Sequence, residues 1–195
     1  MKKLNNYNTY KDYLYHQIKK TTDPNRRKKW LGEEWDLKLN GFKEIFSSKK
    51  DLIGDCKEVL CIGARTGQEV AALRDLGYDA IGIDLIPCEP YVIQCDMHKL
   101  TFENEKFDFV FSNVFDHSLY PEKKCSEMER VLRPGGIIII HMQMDISQDK
   151  YTEVIIEDVE KDVASLFEQS EIIKSQNINK NFAAMNYELI LRKKQ

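Results

Sequence analysis

Residues 61–69, "CIGARTGQE", place Gly63 and Gly67 four positions apart, between the apolar run "EVL" and the helical run "VAALRDLG". A glycine loop that joins a strand to a helix turns backbone N–H groups toward a ligand and lets the chain approach it closely. The spacing discriminates between ligands. A dinucleotide fingerprint starting at Gly63 needs further glycines at positions 65 and 68, which hold Arg65 and Gln68. A P-loop needs a lysine after the last glycine, and none stands there. Asp84 closes the next apolar run, "AIGID", where a carboxylate can accept hydrogen bonds from both hydroxyls of a ribose or simply open the turn at Pro87. Three more groups could move a proton. Asp116 and His117 lie in "NVFDHS", after a later apolar run, and His141 ends "IIIIHM". His117 is the first candidate for a base. His141 reads equally well as a satisfied core histidine, and no ligand spacing among the three supports a metal.

These residues need a scaffold that gathers strand ends. From residue 57 the pattern alternates. "EVLCIG", "DAIGID", "YVIQCD", "FDFVFSN" and "IIIIHM" read as strands, separated by the helices "QEVAALRDLG" and "PEKKCSEMERVL". Strands alternating with helices imply parallel pairing through right-handed crossovers, and near-continuous Ile and Val runs fit strands covered on both faces. In the tail, Val159, Val163, Leu166 and Phe167 fall on one face of an expected amphipathic helix, and "YTEVI" before it fits strand or helix. "EIIKSQNI" and "NYELILRK" then read as two strands able to pair antiparallel. Before residue 50, Leu4, Tyr7, Leu14 and Ile18 suggest one helical face. Asp23 and Pro24 suggest the start of a second helix, and Phe42, Ile45 and Phe46 the buried side of a third.

Composition narrows the class. The chain has 195 residues, 42% apolar and 31% charged, with a formal charge of −3. This suits a globular domain without a general field for nucleic acid or anionic membrane. No apolar run approaches the roughly 18 residues of a spanning helix. The opening residues lack the apolar core of a secretory leader. Five cysteines with no C-x-x-C pair read as free thiols in a reducing cytoplasm, not as a disulfide framework or zinc site.

The outer glycines fit the pattern G-x-G-x-G, and here the sequence resembles class I S-adenosylmethionine-dependent methyltransferases. Their loop V-L-D-x-G-C-G-T-G aligns with "VLCIGARTG" without a gap. Asp84, "CDMHKLTF" followed by "KFDFVFSN", and "EMERVLRPGGIIII" with its Arg133-Pro134-Gly135-Gly136 turn extend the resemblance over residues 57 to 145. It implies a Rossmann-like three-layer α/β sandwich with a mostly parallel seven-stranded sheet and an antiparallel C-terminal strand, preceded by an N-terminal helical arm. It also implies S-adenosyl-L-methionine as cofactor, held by Gly63, Arg65, Thr66, Gly67, Asp84, Leu85, Asp96, Met97 and Asn113. Asp84 would take the ribose, Asp96 the adenine amine and Met97 the ring face.

Two positions depart from the family. Arg65 replaces the middle glycine; its guanidinium either clamps the methionine carboxylate or points to solvent while Thr66 and Gly67 make the turn. Cys61 replaces an acid, so recognition of the methionine amine falls to backbone carbonyls around Gly63 and Asn113. The expected organisation is an arm or lid at 1–50 and a methyltransferase domain at 51–195. The arm is rich in aromatics and carries Arg26-Arg27-Lys28-Lys29, which reads as a lid over an anionic or sugar-like acceptor or as a packed face with a solvated turn. The expected activity is methyl transfer to an O or N nucleophile of a small-molecule or glycan-type acceptor. The alternatives are a protein or nucleic-acid methyltransferase and a non-catalytic cofactor-binding partner subunit. The absence of an N-P-P-Y motif, where "SNVFD" stands, argues against amino-directed DNA or protein methylation.

Overall fold

The computed structural model describes residues 1–144, 150–179 and 181–195. In chain order the elements are β1 (Lys2–Lys3), α1 (Tyr10–Thr22), α2 (Pro24–Leu31), α3 (Trp35–Ser47), α4 (Lys50–Ile53), β2 (Glu58–Ile62), α5 (Gln68–Asp75), β3 (Asp79–Asp84) and β4 (Val92–Gln94). After these come β5 (Phe107–Ser112), a 3₁₀ turn (Phe115–His117), α6 (Pro121–Val131), β6 (Leu132–Met142), β7 (Val154–Ile155), α7 (Val159–Asp162), a second 3₁₀ turn (Ala164–Leu166), β8 (Ser170–Asn177) and β9 (Tyr187–Lys193).

Seven strands form one sheet in the order β4-β3-β2-β5-β6-β9-β8. The pairs from β4 to β6 are parallel, and β9 runs antiparallel to both β6 and β8. Alternation within the central strands feeds two cores. Leu60, Ile62, Val110, Ile138 and Ile140 pack toward Cys125 and Met128 of α6. Val59, Cys61, Phe109, Phe111 and Ile139 pack toward Phe42 and Phe46 of α3 and Val70 and Leu73 of α5. The result is the three-layer α/β arrangement that the strand–helix alternation demands. No helix among the described residues is long and apolar enough to cross a membrane.

The structure amends four local readings. First, α1 starts at Tyr10 behind a Thr9 capping box, and it buries Tyr13, Gln17 and Thr21 instead of Leu14 and Ile18. That face is polar because it meets polar groups: Tyr13 donates to the His117 carbonyl, and Gln17 donates to the Tyr151 carbonyl and to Glu153. Second, Arg133–Gly136 lies within β6 as a bulge: Leu132 pairs with Phe107 and Ile137 with Phe109. Third, the amphipathic tail helix is one turn, α7, followed by the 3₁₀ turn. Val163, at φ −122° and ψ −61°, breaks it, because Val159, Val163 and Phe167 all enter the α6-side core. Fourth, "YTEVI" supplies β7, which pairs with β1 and ties the start of the chain to the domain.

Candidate functional site

The glycine loop crosses from β2 to α5 with Gly63 at φ +78°, Arg65 at φ +51° and Gly67 at φ +89°. A Cβ on Gly63 would come within 2.2 Å of Val114, so only glycine allows the loop to approach the turn after β5. Thr66 is fully buried and donates to Gln68 Oε1 at 2.8 Å; Gln68 Nε2 in turn donates to the Trp30 carbonyl at 2.8 Å. The Arg65 guanidinium lies 4.4 Å from the centre of the Trp30 ring. Thr66 and Gly67 therefore shape the loop and fasten it to α2, while Gly63 and Arg65 face open space.

That space consists of two adjoining cavities. A narrow cleft of about 60 Å³ lies against Asp84, Leu85, Met97 and Ile83, beneath Gln17 and Thr21 of α1. A wider one of about 540 Å³ lies among Glu69, Asn113, Lys38, Phe42, Phe182 and Met185. Gly63, Arg65, Val114 and His117 line both. Six of the nine residues that the resemblance implies for the cofactor thus border one cavity or the other; Thr66 and Gly67 are loop-forming, Asp96 lines neither, and Gly63 and Arg65 line both. That leaves Gly63, Arg65, Asp84, Leu85, Met97 and Asn113 as the cavity-facing set.

Asp84 Oδ2 accepts the Arg65 N–H at 3.1 Å, and its Oδ1 accepts from the Ile86 N–H at 3.4 Å. Burial pushes its carboxyl up, against the lowering effect of these N–H groups and of Arg65. Asp96 stands past the adjacent strand end, but its oxygens are already engaged: Tyr10 Oη donates at 2.6 Å and the His98 N–H at 2.9 Å. Burial alone would raise its carboxyl, and the bonds from His98 and Tyr10 outweigh burial and lower it. Asp96 therefore fastens α1, through Tyr10, to the loop after β4.

The arm also fixes His117. Tyr13 Oη donates to the His117 carbonyl at 2.9 Å, and Gln17 Nε2 donates to the Tyr151 carbonyl at 2.9 Å. His117 Nδ1 lies 2.7 Å from that Tyr151 carbonyl, which can only accept, so Nδ1 carries the hydrogen. Nε2 is then the acceptor nitrogen, and Lys20 Nζ donates to it at 2.8 Å. His141 is placed elsewhere. It is buried within the sheet, 3.1 Å from Glu188 Oε2 and edge-on to Phe111, and it lines neither cavity. Its strand-end position is covered by the antiparallel β9, which supplies Glu188.

Gln17, Lys20 and Thr21 at the cleft, and Trp30 beneath Arg65, carry no local signature in the sequence. Glu69 was visible only as a residue of the α5 pattern. A polar stripe at positions 13, 17 and 21 was the available signal for the α1 face.

Residues 60–140 match a family model described as a methyltransferase domain. That segment, from β2 to β6, is thus similar to a methyltransferase domain. No curated protein sequence matches it significantly. Solved structures resemble the whole fold. The 1,6-didemethyltoxoflavin-N1-methyltransferase of Burkholderia thailandensis, with 1,6-didemethyltoxoflavin and S-adenosylhomocysteine bound, has a TM-score of 0.74 at 16% identity, over 99% of this chain and 94% of its own. A SAM-dependent methyltransferase from Archaeoglobus fulgidus has a TM-score of 0.62 at 15% identity, over 84% of this chain and 99% of its own. The [4+2]-cyclase SpnF has a TM-score of 0.59 at 15% identity, over 78% of this chain and 79% of its own. At such identities the likeness is one of fold, and SpnF illustrates that this fold hosts more than one chemistry. The glycine loop, Asp84 and Asn113 lie on the matched segment, whereas the α1 residues over the cleft lie before it.

Proposed function

We propose that the chain is an S-adenosylmethionine-dependent methyltransferase acting on a hydroxyl or amine of a small-molecule acceptor. The observation that carries this reading is the pair of cavities meeting at Gly63, Arg65, Val114 and His117. A half-buried carboxylate, Asp84, among Ile83, Leu85 and Met97 suits a ribose with an apolar-faced base. A cationic Arg65 and an anionic Glu69 beside bare backbone at Gly63 suit an amino-acid zwitterion. When bound, the cofactor supplies a methyl group made electrophilic by its sulfonium. The chain's own residues align and enclose: α1 covers the cleft, and residues 1–50 act as a cover on the domain at 51–195. The wider cavity receives the acceptor against Leu37, Phe42, Phe182 and Met185. With its Nδ1–H held by the Tyr151 carbonyl, His117 presents Nε2 to the shared opening. An acceptor hydroxyl that displaces Lys20 there gives its proton to Nε2. The small-molecule relative from Burkholderia thailandensis, whose length this chain nearly spans, supports the acceptor class.

The test is transfer of radiolabelled methyl from S-adenosylmethionine to a panel of low-molecular-weight aromatic alcohols and amines. Labelling of a small acceptor is expected, with His117→Ala slowing transfer to hydroxyls by about 100-fold and leaving S-adenosylhomocysteine affinity within about threefold. Label found only on protein or nucleic acid, or tight cofactor binding with no transfer to any acceptor, contradicts the proposal.

A further inference from the structure

The loop V-L-D-x-G-C-G-T-G that this sequence resembles has an acid where Cys61 stands, and Cys61 cannot replace it. Its thiol is fully buried, and burial, with the nearby Glu69 charge, pushes its pKa well up, so it stays neutral. The same Glu69 charge points to the missing function. Glu69 sits in the first turn of α5, just beyond the loop, and lines the wider cavity with Gly63, Arg65 and Asn113. It is only 5% exposed. Among the described residues its own N–H is the hydrogen-bond donor to its carboxylate, and no lysine or arginine forms an ion pair with it. The two nearest cations are already placed: Lys38 pairs with Glu34, and Arg65 stacks on Trp30. A buried carboxylate facing a cavity without a cationic partner is costly unless a ligand supplies the cation.

We propose that Glu69 receives the ammonium of the cofactor's methionine end, with Arg65 opposite it receiving the carboxylate. The inference rests on the methyltransferase reading above. An α-amino acid carries one cation and one anion on a single carbon, and a loop that presents Arg65 and Glu69 to one cavity matches that pair of charges. Gly67, at φ +89°, makes the turn that brings position 69 back toward position 65. The acid of the loop has moved from the end of β2 to the start of α5, and recognition of the amine does not fall to backbone carbonyls alone.

Calorimetric titration of the full chain tests this with two ligands: S-adenosylhomocysteine, and 5′-methylthioadenosine, which lacks the amino-acid end. Glu69→Gln keeps the shape of the protonated acid and should fold; its melting temperature checks that. The expected result is a loss of about tenfold or more in S-adenosylhomocysteine affinity and no change beyond about twofold for 5′-methylthioadenosine. Burial holds the Glu69 carboxyl up near a pKa of about 7, against its own N–H, Arg65 and Lys38, with Asp84 adding to the rise. Affinity of the wild type for S-adenosylhomocysteine should therefore increase from pH 6 to pH 8, and that increase should vanish in Glu69→Gln. The other charged and titratable groups facing Glu69 are Lys38 on α3, Arg65 in the loop, Asp84 on β3 and Cys61 on β2. Unchanged S-adenosylhomocysteine affinity in Glu69→Gln, or an equal loss for both ligands, overturns the inference while leaving the methyltransferase reading standing. A wild type that binds neither ligand overturns both.

Discussion

Removal of the Asp84 side chain should weaken cofactor binding far more than it weakens the fold. In the structure Oδ2 is held by the Arg65 N–H at 3.1 Å, while the contact from Ile86 N to Oδ1 is long, at 3.4 Å. The carboxylate thus has spare acceptor capacity on the cleft side. A ribose offers two hydroxyls, and each hydrogen bond to a charged acceptor contributes roughly 1.5–3 kcal/mol. Asp84→Ala removes both, about 3 kcal/mol or more, which is a loss of roughly 100-fold or greater in affinity. Asp84→Asn keeps an oxygen for the Arg65 N–H and turns an amide toward the ribose, so the loss is about 1–2 kcal/mol, roughly 5- to 30-fold. Isothermal titration with S-adenosylhomocysteine reads both values, and thermal unfolding controls for the lost loop bond, worth about 1 kcal/mol. The graded order Asp84, Asn, Ala is the signature. Affinity within threefold of wild type in Asp84→Ala would refute the placement of the ribose, since among the described residues no other carboxylate lines the narrow cleft.

Other groups give independent checks. Arg65→Ala should cost about tenfold in S-adenosylhomocysteine affinity through the lost carboxylate partner. Arg65→Lys should recover part of it, because it keeps the charge but not the planar stack on Trp30; equal affinity in all three proteins would place Arg65 outside the site. Burial alone would raise the Glu188 carboxyl, but hydrogen bonds from His141 and Lys49 bring it down to about 2, from an ordinary 4.5. The folded state then binds protons less readily than the unfolded chain. The pair's contribution is complete above pH about 4.5 and is lost as pH falls toward about 2. Urea unfolding should show the wild type losing up to about 3 kcal/mol more than Glu188→Gln between pH 5 and pH 2; parallel profiles would contradict the pairing. Lys124 is fully buried, with its ammonium donating to Ser112 at 3.0 Å, and burial lowers its pKa to about 8. Holding that charge at pH 7 costs up to about 3 kcal/mol, so Lys124→Met should melt at or above the wild-type temperature. A clear drop would mean that the ammonium is an organising contact.

The parts of the fold legible in the sequence are those written in contiguous residues. "EVLCIG", "FDFVFSN" and "IIIIHM" announce covered strands because their apolar residues enter one core or the other on alternate faces. The glycine loop was legible because strand, turn and helix follow each other within a dozen residues. The tail helix was not, since the periodicity of Val159, Val163 and Phe167 describes one buried side but not the break at Val163 that lets all three reach the core. The α1 face was misread for a related reason. Hydrophobic period locates a face that packs on a core, and α1 instead docks through hydrogen bonds from Tyr13 and Gln17 to the His117 and Tyr151 carbonyls and Glu153. The partners that decide the site lie far apart in sequence. Tyr10 engages Asp96, Trp30 lies beneath Arg65, and Tyr151 fixes the tautomer of His117. Such contacts depend on how the arm docks, which local pattern does not encode.

The most direct test of the central claim, two joined cavities built for an adenosine attached to a methionine, is calorimetric titration of the intact chain with S-adenosylhomocysteine beside NAD. The account predicts saturable one-site binding of S-adenosylhomocysteine, displaced by S-adenosylmethionine and abolished or severely weakened in Asp84→Ala, with no heat from NAD. Binding of NAD at that site, or no binding of S-adenosylhomocysteine at millimolar concentration, would contradict it.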